Sequence, residues 1–207
     1  MYKRLKMYWQ DNRDRHRINI ALSKGASMMA ARNVDLKNPS SWEFSGFSQN
    51  GEDGIIDVLR TQLSKSNRYF IEIGSADGID NNTAWLLIAE KYNGIMIEGE
   101  SALVKRAKRM VINYSIGAEC FNLFVTKQTP SELKSMALYL DPDVFSLDID
   151  GNDYYIAKAL IEVGFRPKIF VVEYNSVFGS QKCCTVKYDP KFVYTEAHPS
   201  HLYYGVS

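Results

Sequence analysis

From residue 68 onward, short apolar runs alternate with longer amphipathic stretches, and this alternation predicts the elements of the fold. Tyr69-Phe-Ile-Glu-Ile73 is a β-rich run that stops at Gly74-Ser-Ala-Asp-Gly78. The stretch from Asn81 or Asn82 to Lys91 has helical length. Gly94-Ile-Met-Ile-Glu98 reads as a second strand, and Ser101 is placed to cap a helix reaching Met110. A weaker strand region is expected in Val111 to Ile116 with Phe121 to Val125. Thr129-Pro-Ser-Glu opens a helix, with Pro130 in the first turn where its missing N–H costs nothing. Val144 to Asp148 is a strand, Asn152 or Asp153 caps a helix to Val163, and Lys168 to Glu173 is a further strand. Strands separated by helices at this spacing predict a mostly parallel sheet with helices on both faces, a doubly wound α/β domain over residues 48–207.

Residues 1–47 differ from this pattern. They are basic, rich in Met and partly helical, with a Pro39-Ser-Ser turn before Trp42. One reading is an N-terminal helical extension whose apolar positions Leu5, Tyr8, Trp9, Ile18, Ile20 and Leu22 pack on the domain while Arg and Lys stay solvated. The other is an arm that binds an anion: a phosphorylated substrate, a nucleic acid or a lipid surface. Charge placement keeps both open. Residues 1–32 hold eight Lys/Arg and two Asp, a local balance of +6, although the whole chain of 207 residues is only +1.

Composition bounds the remaining classes. At 45% hydrophobic and 24% charged residues, the chain is neither disordered nor fibrous. Three cysteines, two of them adjacent at Cys183 and Cys184, do not form a disulfide framework, and a reducing compartment is expected. The longest apolar run, Ala84 to Ala89, is six residues, far below the ~20 that span a bilayer. The N-terminus lacks the apolar segment of a signal peptide, so a cytoplasmic location is expected.

Ligands of a parallel sheet bind beyond the carboxyl ends of its strands, and four of the expected strands end in acids. These are Glu72, Glu98, Asp148 with Asp150, and Glu173. The turn Gly74-Ser75-Ala76-Asp77-Gly78 has the glycines for a tight bend and close ligand approach. It is not the Gly-x-Gly-x-x-Gly of a dinucleotide site, and Asp77 sits where a pyrophosphate would need positive surroundings. Acids there suit S-adenosylmethionine, which carries a sulfonium and an ammonium. Glu98, 20 residues beyond Gly78, is spaced to accept both ribose hydroxyls of an adenosine.

Three segments, Phe70 to Gly78, Gly94 to Glu98, and Phe145-Ser-Leu-Asp-Ile-Asp-Gly-Asn-Asp-Tyr154, resemble the FkbM-type branch of class I S-adenosylmethionine-dependent methyltransferases. Phe47-Ser-Gln-Asn-Gly-Glu-Asp-Gly54 and Val171-Val-Glu-Tyr-Asn175 are similar to segments flanking that core, and the resemblance covers about residues 44–205. It implies a Rossmann-like fold and methyl transfer, often to a hydroxyl of a sugar or natural product. By position, Glu72, Gly74 and Gly78 would cradle the methionine part, with Ser75, Ala76 and Asp77 of the same turn also at the cofactor, Glu98 the ribose, and Asp148 the methionine ammonium side or a metal. Gln49 and Glu52 would reach the cofactor edge or serve the surface. The family fold continues past the fifth strand with a helix and a hairpin, whereas 34 residues follow Glu173 here, so the sheet reads as truncated.

Two routes for an acceptor proton follow from the acids. Asp150 or Glu173 acts as base, or Asp148, Asp150 and Glu173 hold Mg²⁺, whose charge would acidify a bound hydroxyl. Asn152 and Asp153 also suit ordinary turn and cap chemistry. The expected function is O-methylation of a small molecule or glycan. The competing reading is a catalytically silent module that engages a polyanionic partner, nucleic acid included, through the basic arm. Pairing of an unfinished sheet edge would favour a homo-oligomer.

Overall fold

The computed structural model describes residues 2–114, 117–179 and 181–206. Five strands, β1 (Tyr69–Ile73), β2 (Asn93–Glu98), β3 (Ala118–Asn122), β4 (Val144–Leu147) and β5 (Ile169–Val172), pair in parallel in the order β3-β2-β1-β4-β5. The helices are α1 (Tyr2–Ala31), α2 (Glu52–Thr61), α3 (Ala84–Ile88), α4 (Ser101–Tyr114), α5 (Pro130–Met136), α6 (Asp153–Glu162) and α7 (Tyr194–Ala197). This is the doubly wound, Rossmann-like α/β architecture.

Alternation along β1 explains the two layers. Phe70 faces one side with Met96 and Val144, under Val104, Ala107 and Met110 of α4, Ile56 of α2, and Ile18 and Ala21 of α1. Tyr69, Ile71 and Ile73 face the other with Ile95, Phe145 and Leu147, under Leu133 of α5 and Ile156 and Leu160 of α6. β1 has strands on both sides and helices on both faces, so all five of its residues are buried. The continuous apolar run in the sequence is the signature of that position.

Three local expectations change. Val111 to Tyr114 continue α4 instead of forming a strand, because Val104, Ala107 and Met110 recur at helical spacing and bury one face of the helix; Ser115 and Ile116 lie outside the described residues. The helix expected from Asn81 or Asn82 to Lys91 shortens to α3, because Asn81, Asn82 and Thr83 form a turn bonded elsewhere. In α1 only Ile18 and Leu22 of the expected apolar contacts join the core. Leu5, Tyr8, Trp9 and Ile20 are exposed.

Ion pairs fasten α1 and the segment after it to the sheet layer. Arg32 bonds Asp57, which also receives Arg60 at 2.6 Å, and Arg60 reaches Glu90 at 2.7 Å. Asp57 is buried, so removing either guanidinium would leave its charge short of a partner. Trp42 and Phe44 then lie across the first turn of α2, where the Gly54 N–H donates to the Phe44 carbonyl at 3.1 Å.

Gly54 is required by this contact. A Cβ there would lie 2.1 Å from the Trp42 carbonyl oxygen and 2.3 Å from the Phe44 nitrogen, both backbone atoms that cannot rotate away. Gly54→Ala is expected to cost about 3 kcal/mol and lower Tm by roughly 6–12 °C in thermal unfolding. An unchanged Tm would show that residues 42–44 do not seat on α2.

Candidate active site

A cleft of about 1110 Å³ opens at the carboxyl ends of the strands. It lies where the strand order reverses, between β1 and β4, the position at which open α/β sheets bind ligands.

The β1 side is organised by Glu72. Its side chain is buried, and it accepts the N–H groups of Asn82 and Thr83 at 3.1 and 3.2 Å and the Thr83 hydroxyl. Those bonds fold residues 74–83 back over the strand end. Burial lifts the Glu72 carboxyl to about 7 against the opposing pull of its donors, with nearby Asp148 adding to the rise. Asn82 also donates to Ser146 of β4 at 3.1 Å, tying the turn to the next strand. Gly74 sits at φ +85°, and a Cβ there would lie 1.7 Å from the Asp148 carbonyl oxygen, so the β1 and β4 turns meet only across a glycine.

The turn divides between cleft and scaffold. Gly74 and Ala76 line the cleft. Ala76 takes φ +48°, unusual for a residue with a side chain, and its N–H donates to Glu98 Oε2 at 3.0 Å. The other oxygen of Glu98 accepts the Glu100 N–H at 2.8 Å, which pins the carboxylate at the end of β2 with lone pairs remaining. Ser75, Asp77 and Gly78, expected at a cofactor, do not line the cleft. Asp77 is held by Arg17 of α1 at 2.7 Å and Arg106 of α4 at 2.8 Å, and hydrogen bonding to Arg17 leads the pull of its carboxyl below the usual range, against burial. Gly78 packs against α4 and β2, where a Cβ would meet Met110, Met96 and Ala107 at 2.8 to 3.2 Å. Ser75 is buried, and its N–H donates to the Ile97 carbonyl.

Past β4, Asp153 Oδ1 accepts the Ile149 N–H at 3.0 Å and Oδ2 the Gly151 N–H at 2.9 Å, so it braces the turn that presents Asp148 and Asp150. Asp150 takes φ +55°, the left-handed conformation that Asp adopts more readily than most residues with a side chain. Glu173 follows β5. One ligand oxygen from each of Asp148, Asp150 and Glu173 lies within 4.8 Å of the others. Burial, then repulsion from neighbouring acids, raises Asp148 to about 6 and Glu173 to about 8; burial also raises Asp150.

Gln49, Glu52, Glu72, Glu98, Asp148, Asp150 and Glu173 all border the cleft. Gln49 is carried there by a turn in which Asp53 Oδ2 accepts the N–H groups of Gly46, Phe47 and Ser48 while Ser48 Oγ accepts the Asp53 N–H. Asp80 and Glu100 add further carboxylates, and no Lys, Arg or His is among the described residues lining the cleft. In low dielectric such a lining disfavours an anionic ligand and favours a cationic one.

Phe124, Phe192 and Tyr204 line the cleft without having been singled out from sequence. Phe192 and Tyr204 arrive because the C-terminal segment folds back: buried Asn175 donates to the Leu202 and Tyr204 carbonyls at 3.0 and 2.9 Å. Asn152 adds a bond to the Asp189 carbonyl at 2.7 Å. Both asparagines stand in the quoted segments, but their partners lie 27 to 37 residues away, beyond any local pattern. Tyr174 lines the cleft, whereas Tyr194 stacks edge-on with Tyr204 at 5.8 Å.

No family model and no curated protein matches this sequence. Among solved structures the chain is similar to a precorrin-6y C5,15-methyltransferase from Geobacter metallireducens GS-15, with 13% identity, a TM-score of 0.42, and coverage of 60% of this chain and 63% of that one. It is similar to a fibrillarin/Nop5p complex chain with 14% identity, a TM-score of 0.42, and coverage of 62% and 61%. A Plasmodium falciparum protein described as a putative protein-L-isoaspartate O-methyltransferase, solved with S-adenosyl-L-homocysteine, shares 15% identity at a TM-score of 0.39, covering 58% of this chain and 56% of that one. The chain therefore spans about six-tenths of the length of these three proteins.

Proposed function

We propose that this protein is an S-adenosylmethionine-dependent methyltransferase that methylates a hydroxyl of a small molecule or glycan. The observation that carries the reading is a cleft at the β1/β4 reversal lined by carboxylates and by no basic side chain among the described residues. A donor with a sulfonium and an ammonium complements that lining, whereas a dinucleotide pyrophosphate would be repelled. Bound there, S-adenosylmethionine supplies an electrophilic methyl group.

The chain's own residues then have distinct tasks. Glu98, pinned by the Ala76 and Glu100 N–H groups, has lone pairs for a ribose diol. Gln49, Gly74 and Ala76 border the same side, and Asp148 faces the cationic part of the donor. On the β5 side Glu173, or Asp150 beside it, takes the acceptor's hydroxyl proton as the oxygen attacks, a role for which a carboxyl raised to about 8 is suited. A second route rests on the ligand oxygens lying within 4.8 Å of one another. Asp148, Asp150 and Glu173 would hold Mg²⁺, which prefers carboxylate oxygen and would acidify a bound hydroxyl.

Calorimetry is expected to show S-adenosylmethionine and S-adenosylhomocysteine binding and NADH not binding. Glu98→Ala should weaken the adenosyl ligands about 10- to 100-fold, in line with loss of hydrogen bonds to a charged group. No binding of either adenosyl ligand would overturn the reading.

The pH dependence of Glu173 separates the two proton routes. As a base it must be ionised, so methyl transfer should rise with pH up to about 8, and Glu173→Gln should abolish the rise. Chelator-sensitive turnover restored by Mg²⁺ would support the metal route instead. Stability runs the other way. The folded carboxyl titrates near 8 against an ordinary 4.5, so the folded apoprotein keeps a proton that the unfolded chain loses, and the ionisation penalty grows from pH 4.5 to 8. Glu173→Gln should therefore raise Tm at pH 8.5 relative to the parent and have its smallest effect near pH 4.5.

A further inference from the structure

The outward face of α1 is chemically distinct from its docked face. Asp14, Ile18, Ala21 and Gly25, spaced four, three and four residues apart, form the buried stripe. Leu5, Trp9, Arg13, His16, Ile20 and Lys24 form the opposite stripe, and every one is exposed. Arg4, Lys6, Tyr8 and Arg15 flank it, also exposed.

Charge is sorted between the two faces. The helix has two acids, and both point to the protein: Asp14 bonds Arg106 at 3.0 Å, and Asp11 pairs with Arg109 at 3.4 Å. Arg17, the base on the docked side, is bound to Asp77 and Asp80. The outward stripe and its flanks, as named, hold Arg, Lys and His and no acid. The apolar part is concentrated at the N-terminal end, where Leu5, Met7, Tyr8 and Trp9 are exposed on all sides of the helix, with Tyr8 and Trp9 at 63% and 62%. None of these four side chains belongs to the buried core.

We infer that α1 docks the protein on an anionic phospholipid surface, lying in the plane of the interface with Leu5, Tyr8 and Trp9 inserted and Arg4, Lys6, Arg13, Arg15 and Lys24 over the headgroups. Outward-facing bases with Trp, Tyr and Leu among them supply the two attractions that hold an interfacial helix, charge toward anionic headgroups and apolar area for the acyl boundary. Tyr and Trp place an apolar ring in the acyl boundary while their polar atoms stay wet. From Leu5 to Lys24 the stripe is about 28 Å long, and Arg13, His16 and Lys24 are spread along it. Among the described residues no helix is long and apolar enough to cross a membrane. A nucleic-acid backbone would use the bases but gives Leu5 and Met7 no apolar medium. This inference is independent of the methyltransferase reading, because it needs no ligand in the cleft.

The tryptophans provide a direct readout. Trp42 and Trp85 are buried and Trp9 is exposed, so a change in emission on adding a surface reports on Trp9. The full chain is mixed with vesicles of phosphatidylcholine alone, or of phosphatidylcholine with about one-third phosphatidylserine, at low and high salt. Expected are a blue shift and co-sedimentation with the anionic vesicles only, weakened about tenfold or more between about 0.05 and 0.5 M salt. Arg13→Glu with Arg15→Glu should lower the affinity about tenfold or more. Trp9→Ala should remove the emission shift and weaken sedimentation while leaving thermal unfolding unchanged, since Trp9 lies outside the buried core and its ring contact is with exposed Tyr8. Absence of sedimentation at low salt would overturn the inference, as would equal binding to neutral vesicles. Binding of a single-stranded RNA of mixed sequence as tightly as the anionic vesicles would also overturn it and assign the stripe to nucleic acid.

Discussion

A carboxylate on the central strand of a parallel sheet has to find donors within the protein, and much of the site follows from how Glu72 finds them. The donors come from Asn82 and Thr83, ten and eleven residues on, so the chain between must turn back over the end of β1. That return brings Asp80, Asn81 and Asn82 to the cleft, lets Asn82 bond β4, and leaves α3 only five residues long. Gly74 completes the arrangement, because the Asp148 carbonyl occupies the space a side chain would need. Replacing the Glu72 carboxylate would leave the buried donors of this turn unsatisfied and loosen the cleft wall with them.

Charge is the second organising principle. The chain is close to neutral overall, yet it separates its signs in space. Carboxylates collect around the cleft, where Asp80 is paired with Arg17 but Glu72, Asp148, Asp150 and Glu173 have no ion pair among the described residues, and burial raises the proton affinities of these four. The arginines that face inward are used as struts: Arg17 and Arg106 clamp Asp77 between α1 and α4, and Arg32 and Arg60 clamp Asp57. Other bases, Arg13, Arg15 and Lys24 among them, face outward on α1. The helix that braces the turn after β1 is thus the same helix that presents the basic stripe, with Arg17 on one side and Arg13 and Arg15 on the other.

Much of the architecture could be read before any coordinates. The strands at Tyr69, Gly94, Val144 and Lys168 appear within a residue or two of their expected ends, because each is a compact apolar run bounded by turn residues. The strand expected at Val111 fails for a physical reason: β-branched and aromatic residues there suggest extended chain, but the helical recurrence of Val104, Ala107 and Met110 pulls them into α4, whose burial outweighs local preference. The exposed apolar end of α1 follows the same logic in reverse, since amphipathic spacing alone does not say whether a neighbour exists to cover it.

The sequence by itself determined the order of strands and helices and the placing of acids at successive strand ends, because strand alternation, helix periodicity and turn chemistry act over a few neighbouring residues. Only the tertiary structure decided which of those acids meet. Asp77 is drawn away by an arginine 60 residues earlier, while Glu98, Asp148 and Glu173 are gathered around one cleft by the pairing order of the sheet. Side-chain direction and charge partnership depend on contacts between distant parts of the chain, and no local pattern carries that information.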